Sequence, residues 1–148
     1  QALEELNRQM SSVERSEEFI SLVVLVFDTE ADTLRYASAG HPATFLWHGR
    51  EVRPLRSTGP LLMLTPDASY FSREIPLARD DMAVMYTDGL AEARSGDELF
   101  GEERIGDMVR RNPGIAPGVL CKQLLDAAND FSAGMVQDDL AILAIRKD

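Results

Sequence analysis

From Phe19 to Tyr86 the sequence is a succession of short apolar runs broken by turn residues, and helical spacing takes over only after Gly89. A doubly wound α/β fold needs strands and helices to alternate along the chain, so this order argues against one. Phe19 to Asp28 is almost unbroken in apolar character, as expected of a strand buried on both faces. Asp28-Thr29-Glu30-Ala31-Asp32 is a polar turn, and Thr33 to Ala39 reads as the returning strand of a hairpin. Thr44 to Trp47 and Glu51 to Leu55 flank a His48-Gly49-Arg50 turn that leaves His48 in solvent. Gly59-Pro60 breaks the pattern, and Ser69 to Ile75 and Met82 to Tyr86 resume it.

Helical spacing marks three other segments. Ala2 to Met10 carries Leu3, Leu6 and Met10 on one face. Gly101 to Arg111 places Ile105, Met108 and Val109 together, with Arg110 and Arg111 at the end that suits a helix dipole. A longer helix starts at Pro117, presents Leu120, Leu124, Ala127, Ala128 and Phe131, and stops near Gly134. Leu140 to Ile145 then closes the chain as a last strand. Strands that look buried on both faces require a further layer on each side, and a β-sandwich covered by helices provides it. The fold class is therefore α+β, with residues 1–148 as a single domain.

Charge narrows the function classes. Fifteen basic against twenty-five acidic residues give a net charge of −10, which disfavours phosphate-backbone contacts and hence nucleic acid as a partner. The longest aliphatic stretch, Leu22 to Phe27, is too short to span a bilayer, and no signal-peptide pattern opens the chain. Gln1 stands where a Met would begin a protein, so an upstream part is expected. The lone Cys121 has no intrachain disulfide partner, which fits a reducing, cytoplasmic setting, and its place in a helical pattern suits a small buried core residue.

The chemistry-bearing residues are two carboxylate clusters fifty positions apart. Met82-Ala83-Val84-Met85-Tyr86 runs into Thr87-Asp88-Gly89, and Asp138-Asp139 leads into Leu140-Ala141-Ile142-Leu143-Ala144-Ile145. If these runs are antiparallel neighbours, both clusters converge at one sheet rim, where hard divalent cations find oxygen ligands. An Asp-Gly pair after a strand is also an ordinary turn, and Asp138-Asp139 an ordinary solvated cap; the shared edge is what favours the metal. Two divalent ions roughly 3.5–4 Å apart would neutralise such carboxylates and activate water for phosphoester hydrolysis. His41, in Ala39-Gly40-His41-Pro42, is either a general acid or a structural histidine at a Gly-Pro turn. With His48 as its sole fellow, a histidine-rich zinc site is excluded. Glu92 and Arg94 read as an ion pair anchoring the loop beyond Gly89.

Five segments occur in the order of a known family: Phe19-Ile20-Ser21-Leu22, Tyr36-Ala37-Ser38-Ala39-Gly40-His41-Pro42, Tyr86-Thr87-Asp88-Gly89-Leu90-Ala91-Glu92-Ala93, Glu98-Leu99-Phe100-Gly101 and Asp138-Asp139-Leu140-Ala141. On these the sequence resembles the bacterial SpoIIE/RsbU branch of the metal-dependent serine/threonine phosphatases (the PPM, or type 2C, superfamily). The resemblance implies an α-β-β-α sandwich with a Mn²⁺ or Mg²⁺ pair at the sheet edge. Asp88 matches the metal-binding Asp of the family's Thr-Asp-Gly motif, and Asp138 its C-terminal metal ligand. Asp139, Gly89 and His41 are implied as neighbours of those ligands. The implied substrates are phosphoserine or phosphothreonine proteins of the anti-sigma-factor antagonist type.

The chain departs from the family pattern in lacking the upstream Asp-X-Ser/Met-Gly-His/Lys-Gly segment and the first strands, and in carrying Ala141 where Thr or Ser is common. It therefore resembles the C-terminal portion of the phosphatase domain, with half the acidic ligands, and weak or no activity is expected of it alone. Absent strands leave an unpaired sheet edge, which favours a homodimer. The alternative is a non-catalytic module that keeps the phosphatase shape for interaction or dimerisation.

Overall fold

A computed structural model describes residues 2–12, 18–135 and 138–148. The chain divides into two compact units, residues 1–41 with 56–77, and residues 42–55 with 78–148. Both combine antiparallel strands with helix, so the α+β class read from the element order is the class observed.

In the first unit, β1 (Leu22–Asp28) and β2 (Thr33–Ala39) form the expected hairpin, in register from Leu22 opposite Ala39 to Asp28 opposite Thr33. The Asp28 carboxylate closes the turn by accepting the N–H groups of Glu30 and Ala31 at 3.1 and 2.8 Å. β5 (Arg73–Pro76) pairs with the other side of β2, giving the order β1-β2-β5. It is shorter than the Ser69 to Ile75 expected, because Tyr70 is drawn into the core instead of pairing. Helix α1 (Ala2–Ser11) places Leu3 against Ala39, Leu62 and Tyr70.

β1 corrects one expectation. It begins at Leu22, is the outer strand of its sheet, and its residues alternate instead of being buried on both faces. Val24 and Val26 are 41% and 51% exposed. An apolar run cannot by itself tell a central strand from an outer one, since β-branched residues serve both.

The second unit contains β3 (Thr44–His48), β4 (Glu51–Leu55), β6 (Met82–Tyr86) and β9 (Ile142–Arg146), all antiparallel in the order β4-β3-β6-β9. Between β6 and β9 the chain makes a short helix α2 (Asp88–Ala91), a small hairpin of β7 (Arg94–Ser95) and β8 (Glu98–Leu99), and helices α3 (Gly101–Arg111) and α4 (Pro117–Phe131). α3 lies against β3 and β4, and α4 against β9. Their apolar stripes are those the spacing predicts: Ile105 and Val109 from α3, and Leu120, Leu124 and Ala128 from α4, pack with Phe45, Met82, Val84 and Tyr86. Gly106 lets α3 sit down on the sheet, since a Cβ there would stand 3.1 Å from the Phe45 ring. β9 starts at Ile142, two residues later than expected, because the stretch before it serves the site described below.

Three side chains behave differently from their sequence reading. His48 is half-buried, not solvated, because its Nδ1 hydrogen-bonds the Asp81 carboxylate, which also accepts the Ala78 N–H at 2.7 Å. Glu92 and Arg94 form no ion pair among the described residues; both are exposed. Arg104 does the anchoring instead, donating to the Leu99 and Phe100 carbonyls at 2.9 Å and lying 4.7 Å over the Phe131 ring. Cys121 is half-buried, and burial pushes its thiol above the usual range against hydrogen bonds from the Ala144 and Cys121 backbone. Iodoacetamide should therefore label Cys121 more slowly in the native chain than in urea at the same mildly alkaline pH.

Asn7 had no sequence signal, yet it is fully buried. Its Nδ2 donates to the Thr65 and Pro66 carbonyls at 2.9 and 3.1 Å, and its Oδ1 accepts the Met63 N–H at 2.7 Å. One amide thus satisfies three backbone groups of a loop that crosses α1. Asn7→Ala should leave them without partners and cost about 3 kcal/mol in urea denaturation, against near neutrality for an exposed change such as Gln9→Ala.

Candidate functional site

β6 and β9 pair from Met82 opposite Arg146 to Tyr86 opposite Ile142, so the end of one strand and the start of the other share an edge. This is the arrangement the two apolar runs imply, and it carries Asp88 and Asp138 to one rim of the sheet. Past Tyr86 the pairing continues for one step, with the Thr87 N–H donating to the Ala141 carbonyl at 3.0 Å. There β6 ends and α2 begins: the Thr87 carbonyl accepts the Leu90 N–H at 3.1 Å, and the Asp88 carbonyl accepts the Glu92 N–H at 2.8 Å.

Two contacts hold the acidic segments together. The Thr87 hydroxyl donates to the Asp139 carbonyl at 3.0 Å and accepts the Ala141 N–H at 2.9 Å. Gly89 makes the second: a Cβ at that position would lie 2.6 Å from the Asp139 carbonyl oxygen and 3.2 Å from that of Asp138. Its glycine is therefore required by a close backbone approach, beyond any turn preference of an Asp-Gly pair. Asp88, Asp138 and Asp139 are all exposed at this rim, and the Asp88 Oδ1 also accepts the Gly89 N–H at 3.1 Å.

Asp88, Gly89, Asp138 and Asp139 are thus brought into one place. His41 belongs to the other compact unit, where its Nδ1 stands 3.1 Å from the Ser21 hydroxyl. The sequence motif assigns Thr87 no role; its signal is its place between a strand's last apolar residue and a carboxylate.

The donors suit a hard cation. Carboxylate and carbonyl oxygens are the ligands that Mg²⁺ and Mn²⁺ prefer, and Mg²⁺ is commonly held by one or two carboxylates with water and substrate phosphate filling its sphere. The close fit of Gly89 under the Asp138-Asp139 backbone is the observation that favours it. Among the described residues no group of three or more His, Cys, Asp or Glu side chains is placed to hold a metal ion. Gly89→Ala should push the two segments apart. Manganese-induced broadening of the amide resonances of residues 88–90 and 138–141 should weaken in that variant, while a Gly118→Ala control, where a Cβ meets nothing within 4 Å, leaves it unchanged.

The chain as a whole is similar to known proteins. The chain is 22% identical over 149 residues to the phosphoserine phosphatase RsbU of Bacillus subtilis, covering 99% of this chain and 44% of that protein. It spans less than half the length of the curated relatives it matches. The SiaA PP2C domain of Pseudomonas aeruginosa superposes with a TM-score of 0.82 at 23% identity, over 99% of this chain and 59% of that one. The phosphatase domain of the Bacillus subtilis cell fate determinant SpoIIE, presoaked with manganese, gives 0.76 at 16% identity, over 99% and 64%. The fold is that of PP2C-type phosphatase domains. The family model for stage II sporulation protein E matches residues 1–148, and the chain accordingly belongs to the SpoIIE family.

Proposed function

We propose that this chain carries the acidic rim of a metal-dependent protein serine/threonine phosphatase, acting on a phosphorylated regulatory protein of the anti-sigma-factor antagonist type. The observation that supports it most is the contact of the Thr87-Asp88-Gly89 segment with the Asp138-Asp139 backbone, which sets two carboxylates fifty positions apart at one sheet edge. A single family model running through both compact units supports treating 1–148 as one domain.

Asp88 and Asp138 are the residues that would hold Mn²⁺ or Mg²⁺, through carboxylate oxygens. When bound, such ions supply a water of lowered pKa and positive charge for the phosphoryl oxygens. The chain's own contribution is placement. Thr87 and Gly89 fix the two acidic segments relative to each other, and the exposed rim leaves room for a phosphorylated side chain. The net charge of −10 gives such a cation a second role, since without it the rim would repel a phosphate.

The resemblance and the lone Cys121 support a cytoplasmic setting; among the described residues no helix is long and apolar enough to cross a membrane. The exposed Val24 and Val26 on outer strand β1 support self-association into a homodimer. We further propose that the 148-residue chain alone hydrolyses phosphoserine weakly or not at all, because two carboxylates are few for a metal pair.

Phosphate release from a phosphoserine protein in Mn²⁺ tests the reading, using this chain and one extended upstream. The extended chain should be active, and Asp88→Asn or Asp138→Asn should lower its rate by at least about a hundredfold, since even outer partners of metal ligands are worth roughly 10–100-fold. Full activity in both variants would overturn the assignment. No activity in either length would favour a module that keeps the phosphatase shape for interaction.

A further inference from the structure

Thr87 stands where a strand turns into a helix, and its side chain replaces a hydrogen bond that its backbone has given up. Continuing the register from Tyr86 opposite Ile142 sets Thr87 opposite Ala141. A hydrogen-bonded antiparallel pair exchanges two bonds, N–H to carbonyl in each direction. The first is present, from the Thr87 N–H to the Ala141 carbonyl at 3.0 Å. The second cannot form in the usual way, because the Thr87 carbonyl has turned to the Leu90 N–H. The Ala141 N–H goes to the Thr87 hydroxyl oxygen at 2.9 Å instead.

That hydroxyl still has a proton, which it gives to the Asp139 carbonyl at 3.0 Å. One lone pair and one proton therefore bind two backbone groups on either side of Leu140. Thr87 and one of its partners each adjoin a carboxylate: Asp88 follows Thr87, and Asp138 precedes Asp139. Backbone pairing alone would end at the Thr87 N–H and leave the Asp138-Asp139 segment unattached at this point. The hydroxyl extends the register into the acidic segment just as the opposite strand departs from it.

We propose that Thr87 is a positioning residue that sets the spacing of Asp88 and Asp138 through this hydroxyl; the inference rests on the metal reading above. Shape and hydrogen bonding can be separated. Valine keeps the β-branched shape and loses both bonds, whereas serine keeps the hydroxyl and loses a methyl group.

The test is made by NMR on the 148-residue chain, with Mn²⁺ as probe and two readouts: metal-induced broadening at residues 88–90 and 138–141, and amide exchange at Ala141 without metal. In Thr87→Val the Mn²⁺ concentration for half-broadening should rise about tenfold, the scale of a lost orienting partner. Ala141 should exchange severalfold faster, while the amides of the β3–β6 pairing keep their wild-type rates. Thr87→Ser should remain near wild type in both readouts. If Thr87→Val does not fold, Thr87→Ala removes the same hydroxyl without the bulk and is read in its place. Faster exchange at Ala141 with unchanged Mn²⁺ binding would reduce Thr87 to a strand staple and overturn the positioning role. Unchanged exchange would overturn the latch itself. Absence of selective broadening in the wild-type chain would instead remove the metal reading, and the positioning role with it.

Discussion

The pairing of β6 with β9 joins two strands separated by an intervening stretch that includes α2, the β7–β8 hairpin, α3 and α4. Closing so long a connection costs entropy, though the cost grows slowly with length. The intervening helices offset it, because they pack on the sheet that the pairing completes. Leu120, Leu124 and Ala128 of α4, and Ile105 and Val109 of α3, are fully buried against Phe45, Met82 and Val84. The helices hold the strands in register, and the strands give the helices a face on which to bury their apolar stripes. The acidic rim exists only as a consequence of this closure.

At the rim the physical character reverses. Below the rim Met82, Val84 and Tyr86 are buried in an apolar cluster, whereas Asp88, Asp138 and Asp139 are exposed. Exposed carboxylates on mobile segments would bind a cation weakly, since ordering them would consume much of the binding energy. Here the Gly89 contact and the two bonds of the Thr87 hydroxyl order the backbone from which those carboxylates project. Binding residues placed at the ends of packed strands are more rigid than the same residues on free loops.

Polar contacts elsewhere follow the same economy. Arg104 serves the Leu99 and Phe100 carbonyls and the Phe131 ring at once. Asn7 satisfies three backbone groups in a buried position. Both are single side chains that fasten a loop to a helix, and buried or crowded backbone groups need such partners wherever no strand or helix supplies them.

Much of the frame was legible in the residues. The spacing of Ile105 and Val109, and of Leu120, Leu124 and Ala128, follows the helical period, so both helices and their buried faces could be read directly. The same holds for the β1–β2 hairpin, with its Asp28 turn, and for the convergence of Asp88 with Asp138, which needed only that two apolar runs be antiparallel neighbours. Local sequence carries such features because period and turn chemistry act over a few residues. Tertiary structure alone decided that β1 is an outer strand, that His48 meets Asp81, that Arg104 and not Arg94 anchors the loop, and that the Thr87 hydroxyl completes the pairing with Ala141. Each of these depends on which backbone group lacks a partner once the chain has closed, and that is settled between residues far apart in sequence.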